Sequence, residues 1–399
     1  MTTDSFAPFR DRCAIAGVGA TVMSRNSGRS ALSLATEAAL KALDDAGMTP
    51  ADVGGILNCD LDTVVPLTLS ATLGAHEVTY WGHTGPGGHG PCMMIALAVG
   101  AILSGQAKAV LCFRSLNGRS ESRLGTGVPG LGKELTGGFA TYDEFYAPYG
   151  LLTAGQLWAL IAQRHMMAYG TKPEHLGEIA VACREAATLT PGAQMHDRPL
   201  TMEDYLASRM ISTPLRLNDF CLETDGACAI VITSAERARD TRHTPALIRA
   251  VAAGGPLDNR PGMVFPFLSM SDITEIGGFR GGEKLWSRAG VSPKEVDVAQ
   301  LYDCFTISVL MQLEAYGFCP RGEGGPFVAG GAVRRDGALP INTSGGHLSG
   351  GYIHGMNLII EGVQQMRGEA AMQIADAELC LCTGGPMAFG SSVLLRRDA

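Results

Sequence analysis

The chain repeats itself. Ala46-Gly47-Met48-Thr49-Pro50-Ala51-Asp52-Val53 is echoed by Ala289-Gly290-Val291-Ser292-Pro293-Lys294-Glu295-Val296. In each copy a helical stretch precedes the Ala-Gly, where glycine can cap a helix C-terminus. In each copy a short apolar run follows: residues 55–57 before Asn58-Cys59-Asp60, and residues 298–301 before Tyr302-Asp303-Cys304. Both copies read as helix, turn and buried strand. A second echo follows. Residues 93–104 predict an apolar helix closed by Gly105, then a strand at 109–113; residues 356–367 predict a helix closed by Gly368, then a strand at 378–383. Each half also opens on a strand-like run, at 13–18 and 246–252.

This duplication predicts an α/β fold of two βαβ-rich halves with largely buried sheets. The halves are residues 1–244 and 245–399, joined near 240–245. An insertion at about 115–220 has no counterpart in the second half. It carries helix-like stretches at 154–169 and 175–188 and Gly/Pro-rich stretches at 125–138 and 190–199. Long excursions of this kind more often serve binding than core building.

Composition removes several functions. A chain of 399 residues, 46% of them hydrophobic, can bury two cores. A net charge of −8, with no run of Lys or Arg, argues against a nucleic-acid binder held by phosphate contacts. Residues 1–12 have no signal-peptide core, and the longest mostly apolar run, 92–105, is too short to span a bilayer, so a soluble cytoplasmic protein is expected. Eleven scattered cysteines read as free thiols. Cys380 and Cys382 form a C-x-C, not a C-x-x-C, and no metal site is expected.

Four stretches are candidates for chemistry. Gly17-Val18-Gly19-Ala20 lacks the third glycine of a dinucleotide fingerprint and reads as a plain strand-to-loop turn. Gly85-Pro86-Gly87-Gly88-His89-Gly90-Pro91 opens an apolar helix. Its backbone N–H groups suit a developing negative charge, and its glycines equally suit a close approach of two helices or subunits. His89 is a candidate polar group there. The segment Asn342 to Gly355 holds His347, Tyr352 and His354 between a predicted strand at 339–341 and a helix from about 356. Strand ends leading into helices are where α/β proteins put their sites. Leu301-Tyr302-Asp303-Cys304-Phe305-Thr306 also joins strand to helix. Asp303 or Thr306 can cap that helix, Asp303 being the better candidate, and Tyr302 can be a packed residue with a satisfied hydroxyl.

With the duplication, Asp225-Gly226-Ala227-Cys228-Ala229, Tyr302-Asp303-Cys304-Phe305, Asn342-Thr343-Ser344-Gly345-Gly346 and the Thr383-Gly384-Gly385 turn resemble the thiolase superfamily over essentially the whole chain. The resemblance is nearest to the sterol-carrier and lipid-transfer thiolase-like branch, with Gly351-Tyr352-Ile353-His354-Gly355 pointing to its steroid side-chain aldolases. It implies a layered αβαβα core. The departures from a thiolase are specific. Counting back from Ile102 and Gly105 puts the nucleophilic cysteine at or next to Gly88, where there is no thiol. Cys92 lies four residues further on, inside the helix. Tyr352 stands for the activating histidine, Tyr302 for the Asn or His of the other motif, and Cys382 near the second, proton-shuttling cysteine. Cys382 can keep that role or be a buried core thiol.

Loss of nucleophile and histidine together argues against acyl-enzyme chemistry. The resemblance implies instead retro-aldol cleavage of a β-hydroxyacyl-CoA with a sterol or other bulky side chain, giving a ketone or aldehyde and a short acyl-CoA. Tyr302 and Tyr352 are then catalytic, one as the base. A phenol has an ordinary pKa of about 10 and needs lowering for this; His347 and His354 are the nearest groups to supply a positive charge. Asp303, Cys382 and His89 are auxiliary candidates. Backbone N–H groups of Gly87, Gly88, Gly384 and Gly385 are the expected enolate stabilisers. No cofactor beyond the acyl-CoA substrate is expected. Relatives of this type imply a homodimer and a small OB-fold and zinc-ribbon partner that helps bind acyl-CoA. Two other readings remain: a thiolase or acyltransferase with Cys92, Cys304 or Cys382 as a relocated nucleophile, and a non-catalytic acyl-CoA- or lipid-binding protein.

Overall fold

In the computed structural model, residues 5–59, 62–85, 87–121, 123, 147–255, 270–385 and 389–398 are described. The Gly/Pro-rich stretch at 125–138 lies outside them. The first half runs β1 (Cys13–Ala20), α1 (Ala31–Asp45), β2 (Gly55–Cys59), α2 (Pro66–Leu73), β3 (Tyr80–Thr84), α3 (Gly90–Leu103) and β4 (Ala109–Asn117). After the insertion's α4 (Ala154–Tyr169), α5 (Pro173–Leu189), α6 (Met202–Ala207) and small hairpin β5 (Met210–Ser212) and β6 (Leu215–Arg216), it closes with β7 (Asp225–Ser234) and α7 (Ala235–Arg239). The second half runs β8 (Ala246–Gly254), α8 (Gly278–Ala289), β9 (Val298–Gln300), α9 (Thr306–Ala315), α10 (Gly324–Val328), α11 (Met356–Arg367), β10 (Leu379–Gly384) and β11 (Gly390–Arg397).

The repeated Ala-Gly turns end α1 and α8 through Gly47 and Gly290, at φ 63° and 70°. Gly17 and Gly19 have a packing reason: a Cβ at either would strike the backbone of α1 at Ala42 or Ala38. The motif that superficially suggested a nucleotide loop is the groove into which α1's Ala38, Ala42 and Ala46 are laid.

Nine strands join in the order β3-β2-β4-β7-β1-β8-β11-β10-β9. Outward from the antiparallel β1–β8 contact, β7, β4 and β2 on one side correspond to β11, β10 and β9 on the other. α3 and α11 each contact strands of both halves. Their apolar residues, among them Met94, Ile95, Met356 and Ile359, share one core with the strands. The other face of the first half is covered by α1. The insertion, although interrupting the first half, packs on the second: Trp158, Ile161 and Ile179 share a core with Tyr302, Phe305 and Leu310. Among the described residues no helix is long and apolar enough to cross a membrane.

The strand predicted at 339–341 is reduced to one bridge, Ile341 beside Ala299. Pro340 has no N–H to extend the ladder, although its carbonyl accepts from Ala299 N–H. Asn342, at φ 45°, then turns the chain away.

Candidate active site

The connection from β9 to α9 carries Tyr302, and its backbone is held from both sides. Tyr302 N–H donates to Thr383 Oγ1 (2.8 Å), whose hydroxyl donates to Gln312 Oε1 (2.6 Å), while Gln312 Nε2 donates back to Tyr302 O (2.9 Å). The preceding residue is clamped as well: Asn342 Oδ1 accepts from Leu301 N–H (2.7 Å) and its Nδ2 donates to Leu301 O (2.9 Å). The asparagine of the Asn-x-x-Gly-Gly motif thus fixes the strand end from which Tyr302 projects.

Asp303 does not cap the helix after it; Phe305 occupies the N-cap of α9 and makes no side-chain cap bond. The Asp303 carboxylate accepts instead from His347 N–H (2.8 Å) and Leu348 N–H (3.0 Å). It thereby anchors a single π-helical turn, Gly346–Gly350. Gly346 is required there because a Cβ would collide with that carboxylate. Loop amides across the site outcompete the local cap because the turn leaves them no backbone acceptor. Burial pushes Asp303 up to about 6.

Tyr352 follows that turn. Its N–H donates to Thr224 Oγ1 (2.9 Å), and Gln194 Nε2 of the insertion donates to the same hydroxyl (2.7 Å). The two phenol hydroxyls are hydrogen-bonded at 2.7 Å. His347 lies edge-on to both rings, with centroids 4.6 Å from Tyr302 and 4.9 Å from Tyr352, and His354 lies 5.0 Å from Tyr352. Burial pushes both phenols well above their ordinary range. For Tyr352, the hydrogen bond shared with Tyr302 and the charge of Arg114 oppose that rise.

A Cβ built on Gly88 would strike the Tyr302 hydroxyl. The phenol occupies the space that a side chain at residue 88 would need. The Gly384-Gly385 turn closes on the same spot: a Cβ would stand 2.8 Å from Gly88 O at Gly384 and 2.6 Å from His89 N at Gly385. Gly88, Gly384 and Gly385 therefore meet beside Tyr302, with Gly87 next to them in the chain. The His89 ring faces Phe389 at 6.1 Å, and its carbonyl accepts from Ser391 Oγ.

Neither histidine supplies a positive charge. Burial holds His347 down to about 3 and His354 well below its ordinary value. Although His347 Nδ1 lies 3.2 Å from Asp303 Oδ1, neither ring nitrogen has a well-formed hydrogen bond among the described residues. The charge comes from Arg114 in β4, which is fully buried and pairs with Asp62 at 2.8 Å. Arg114 Nε donates to His354 Nδ1 at 3.0 Å. The sequence reading missed Arg114, Asp62 and Thr224. An arginine directly after the apolar run 109–113 is a signal in the sequence for the first of these.

The thiols are poor nucleophiles. Cys382 packs against α11, its sulfur 3.8 Å from Leu358 O, and burial pushes it well above the ordinary thiol range. Burial pushes Cys92 and Cys304 up to about 12, whereas reactive cysteines have lowered values. Among the described residues no group of three or more His, Cys, Asp or Glu side chains is arranged to hold a metal.

A family profile described as Thiolase C-terminal domain-like matches residues 266–397. The chain is 41% identical over 384 residues to a 17-hydroxy-3-oxo-4-pregnene-20-carboxyl-CoA lyase of Mycobacterium tuberculosis, covering 96% of this chain and 99% of that one. It is 40% identical over 385 residues to a steroid side-chain-cleaving aldolase of Thermomonospora curvata, covering 96% and 98%. The solved structure of an Ltp2-ChsH2(DUF35) aldolase superposes with a TM-score of 0.89 at 40% identity, covering 98% of this chain and 99% of that one.

Proposed function

Since the chain belongs to the thiolase superfamily, in the branch of the steroid side-chain-cleaving aldolases, we propose that it cleaves a carbon–carbon bond of a bulky β-hydroxyacyl-CoA by a retro-aldol reaction. One observation carries the mechanism: two tyrosine hydroxyls share a hydrogen bond of 2.7 Å, one of them where a side chain at residue 88 would sit.

Tyr352 is the base. A phenolate is favoured where it accepts a hydrogen bond and has a cation nearby; the Tyr352 oxygen shares a hydrogen bond with Tyr302, in which Tyr302 is then the donor, and Arg114 stands behind His354 as the cation. Tyr352 takes the proton of the substrate's β-hydroxyl. The bond between the β- and α-carbons breaks, the β-carbon leaves as a ketone or aldehyde, and the electron pair passes to the thioester as an enolate. Protonation of the α-carbon, with Tyr302 and Tyr352 returning the proton, gives the shorter acyl-CoA. Backbone N–H groups of the Gly87-Gly88 and Gly384-Gly385 turns stabilise the enolate. The thioester is itself the electron sink, so the route needs no cofactor.

The finer context is proposed on the same footing. A sterol-like side chain is supported by the names of the two relatives. A partner protein bearing part of the acyl-CoA site is supported by the two-protein name of the solved aldolase. The chain works as a soluble cytoplasmic homodimer.

The test is a product assay on a β-hydroxyacyl-CoA with a bulky β-substituent, with the partner present. A ketone and a short acyl-CoA should form without added CoA. Tyr352→Phe and Tyr302→Phe should each lower kcat at least a hundredfold, within the range of general acid–base catalysis. Product formed only from a β-ketoacyl-CoA and dependent on added CoA would overturn the reading.

A further inference from the structure

Arg114 is an unusual residue for its place. It follows the apolar run at 109–113 in a strand whose nine residues are all buried. A buried guanidinium costs several kcal/mol in desolvation unless it is paired. Here it is paired: Arg114 Nη1 stands 2.8 Å from Asp62 Oδ1 and also donates to Ser115 O (2.9 Å). Asp62 is itself held by Ser115 N–H (2.9 Å). Burial pushes this carboxyl up to about 6, against the pull of Arg114 and of the Ser115 N–H, and the ion pair favours its ionised form.

The remaining contact points at the site. Arg114 Nε can only donate, so His354 Nδ1, 3.0 Å away, is an acceptor. His354 is therefore neutral, with its proton on Nε2. Its ring stands at 84° to that of Tyr352. Guanidinium, imidazole and phenol thus stand in series from β4 to the tyrosine, the first two hydrogen-bonded and the last two edge to face.

Among the described residues, the titratable groups around Tyr352 are Tyr302, His347 and His354 in contact, Cys221 and Cys304 near enough to act on its charge and, behind His354, Arg114. Burial pushes both imidazoles down and both thiols and the Tyr302 phenol up, each toward its uncharged form. Of these groups, the guanidinium is the one charged at neutral pH, and it lies on the Tyr352 side of the pair.

We propose that Arg114 is the positioning residue of the tyrosine pair: by fixing His354 in its Nε2–H form and setting a buried positive charge behind it, Arg114 makes Tyr352 rather than Tyr302 the tyrosine that gives up its proton. Its consequence for catalysis rests on the retro-aldol reading; its effect on Tyr352 does not. Asp62 has the opposite sign. It holds Arg114 in position and also offsets part of the charge that Tyr352 feels.

The experiment puts a fluorinated tyrosine, more acidic than tyrosine, at position 352 and follows its ionisation by 19F NMR against pH. Arg114→Gln should raise the midpoint by roughly one pH unit, a tenfold loss of ionisation. Arg114→Lys, which keeps the charge, should restore most of it. Asp62→Asn should lower the midpoint, because the countercharge is gone while the arginine remains. The acid limb of the kcat/KM profile of the unfluorinated enzyme should move in the same directions. A merely structural pair would not split in sign. Equal shifts in the two charge variants, or none, overturn the proposal. If Arg114→Gln fails to fold, Asp62→Asn decides alone: a midpoint unmoved or raised overturns it. The resonance needs no substrate, so midpoints that split as expected in a protein without carbon–carbon cleavage would sink the aldolase reading and leave this one standing.

Discussion

At Gly88, chemistry is decided by the lack of a side chain. Residue 88 and the Tyr302 hydroxyl compete for one volume, so nucleophile and tyrosine are mutually exclusive. Gly88→Ala should leave the fold intact and lower kcat about a hundredfold, because a displacement of about 1 Å at a reacting group costs that much. Gly88→Cys should be no better, and should not acquire thiolase activity, since its thiol would displace Tyr302 and find no activating histidine at 352. Product assays and far-ultraviolet circular dichroism of the two variants check this; aldol activity kept in Gly88→Ala would disprove the exclusion. The two tyrosines and the glycine opposite them were legible in the sequence because each stands at a fixed count within a motif. Arg114 was not. Its meaning depends on Asp62 and His354, residues 52 and 240 positions away, and no local pattern announces a pairing across such distances. The histidines were misjudged for a related reason: sequence proximity to Tyr352 suggested a cation, whereas complete burial keeps both rings neutral.

At the scale of elements, the site is a set of strand ends tied together by side chains reaching for backbone. Asn342 clamps Leu301, Asp303 anchors the π-helical turn, and Thr224 holds Tyr352. A π-helical turn is rare and is found mainly at functional sites; here it carries His347 and delivers Tyr352. The insertion contributes through Gln194, which donates to the Thr224 hydroxyl, and through Gln194 N–H and Met195 N–H, which donate to Gly350 O and Ser349 O. Thr224→Val keeps the volume but leaves the Tyr352 amide without its acceptor, a loss of about 1–3 kcal/mol. It should lower kcat roughly tenfold with a smaller change in KM, and should lower the urea midpoint. Steady-state kinetics and urea unfolding of the variant decide it; unchanged kcat would mean that Tyr352 is held by its ring contacts alone. Helices and strands of the repeat were readable because apolar periodicity and terminal glycines mark them locally. The strand predicted at 339–341 was not resolvable in the same way, since its three residues read as extended while Pro340 and the positive φ of Asn342 allow only one bridge.

At the scale of the whole molecule, duplication leaves a site built from both halves. The first supplies Gly88, Arg114 and Thr224; the second supplies Tyr302, His347, Tyr352 and His354. The duplication is also imperfect at the sheet's ends. β9 is buried throughout and bridged by Ile341. β3 pairs with β2 on one side, and its outward residues include Trp81 at 54% exposure. Beside it, α2 and the residue before it expose Leu67 and Val65. Among the described residues this edge strand has a large exposed aromatic, no lysine or proline and no strand on its outer side, which fits an edge that pairs with another chain. In the proposed homodimer two β3 edges would meet antiparallel about a two-fold axis, continuing the sheet from one chain to the next and burying Trp81. Trp81→Glu puts a charge into that contact on both chains at once, and like charges directly opposite repel. Sedimentation velocity should then give a single-chain particle where the wild type gives a two-chain one, with the circular dichroism spectrum unchanged because Trp81 lies outside all three cores. A two-chain particle that survives Trp81→Glu would move the interface away from β3.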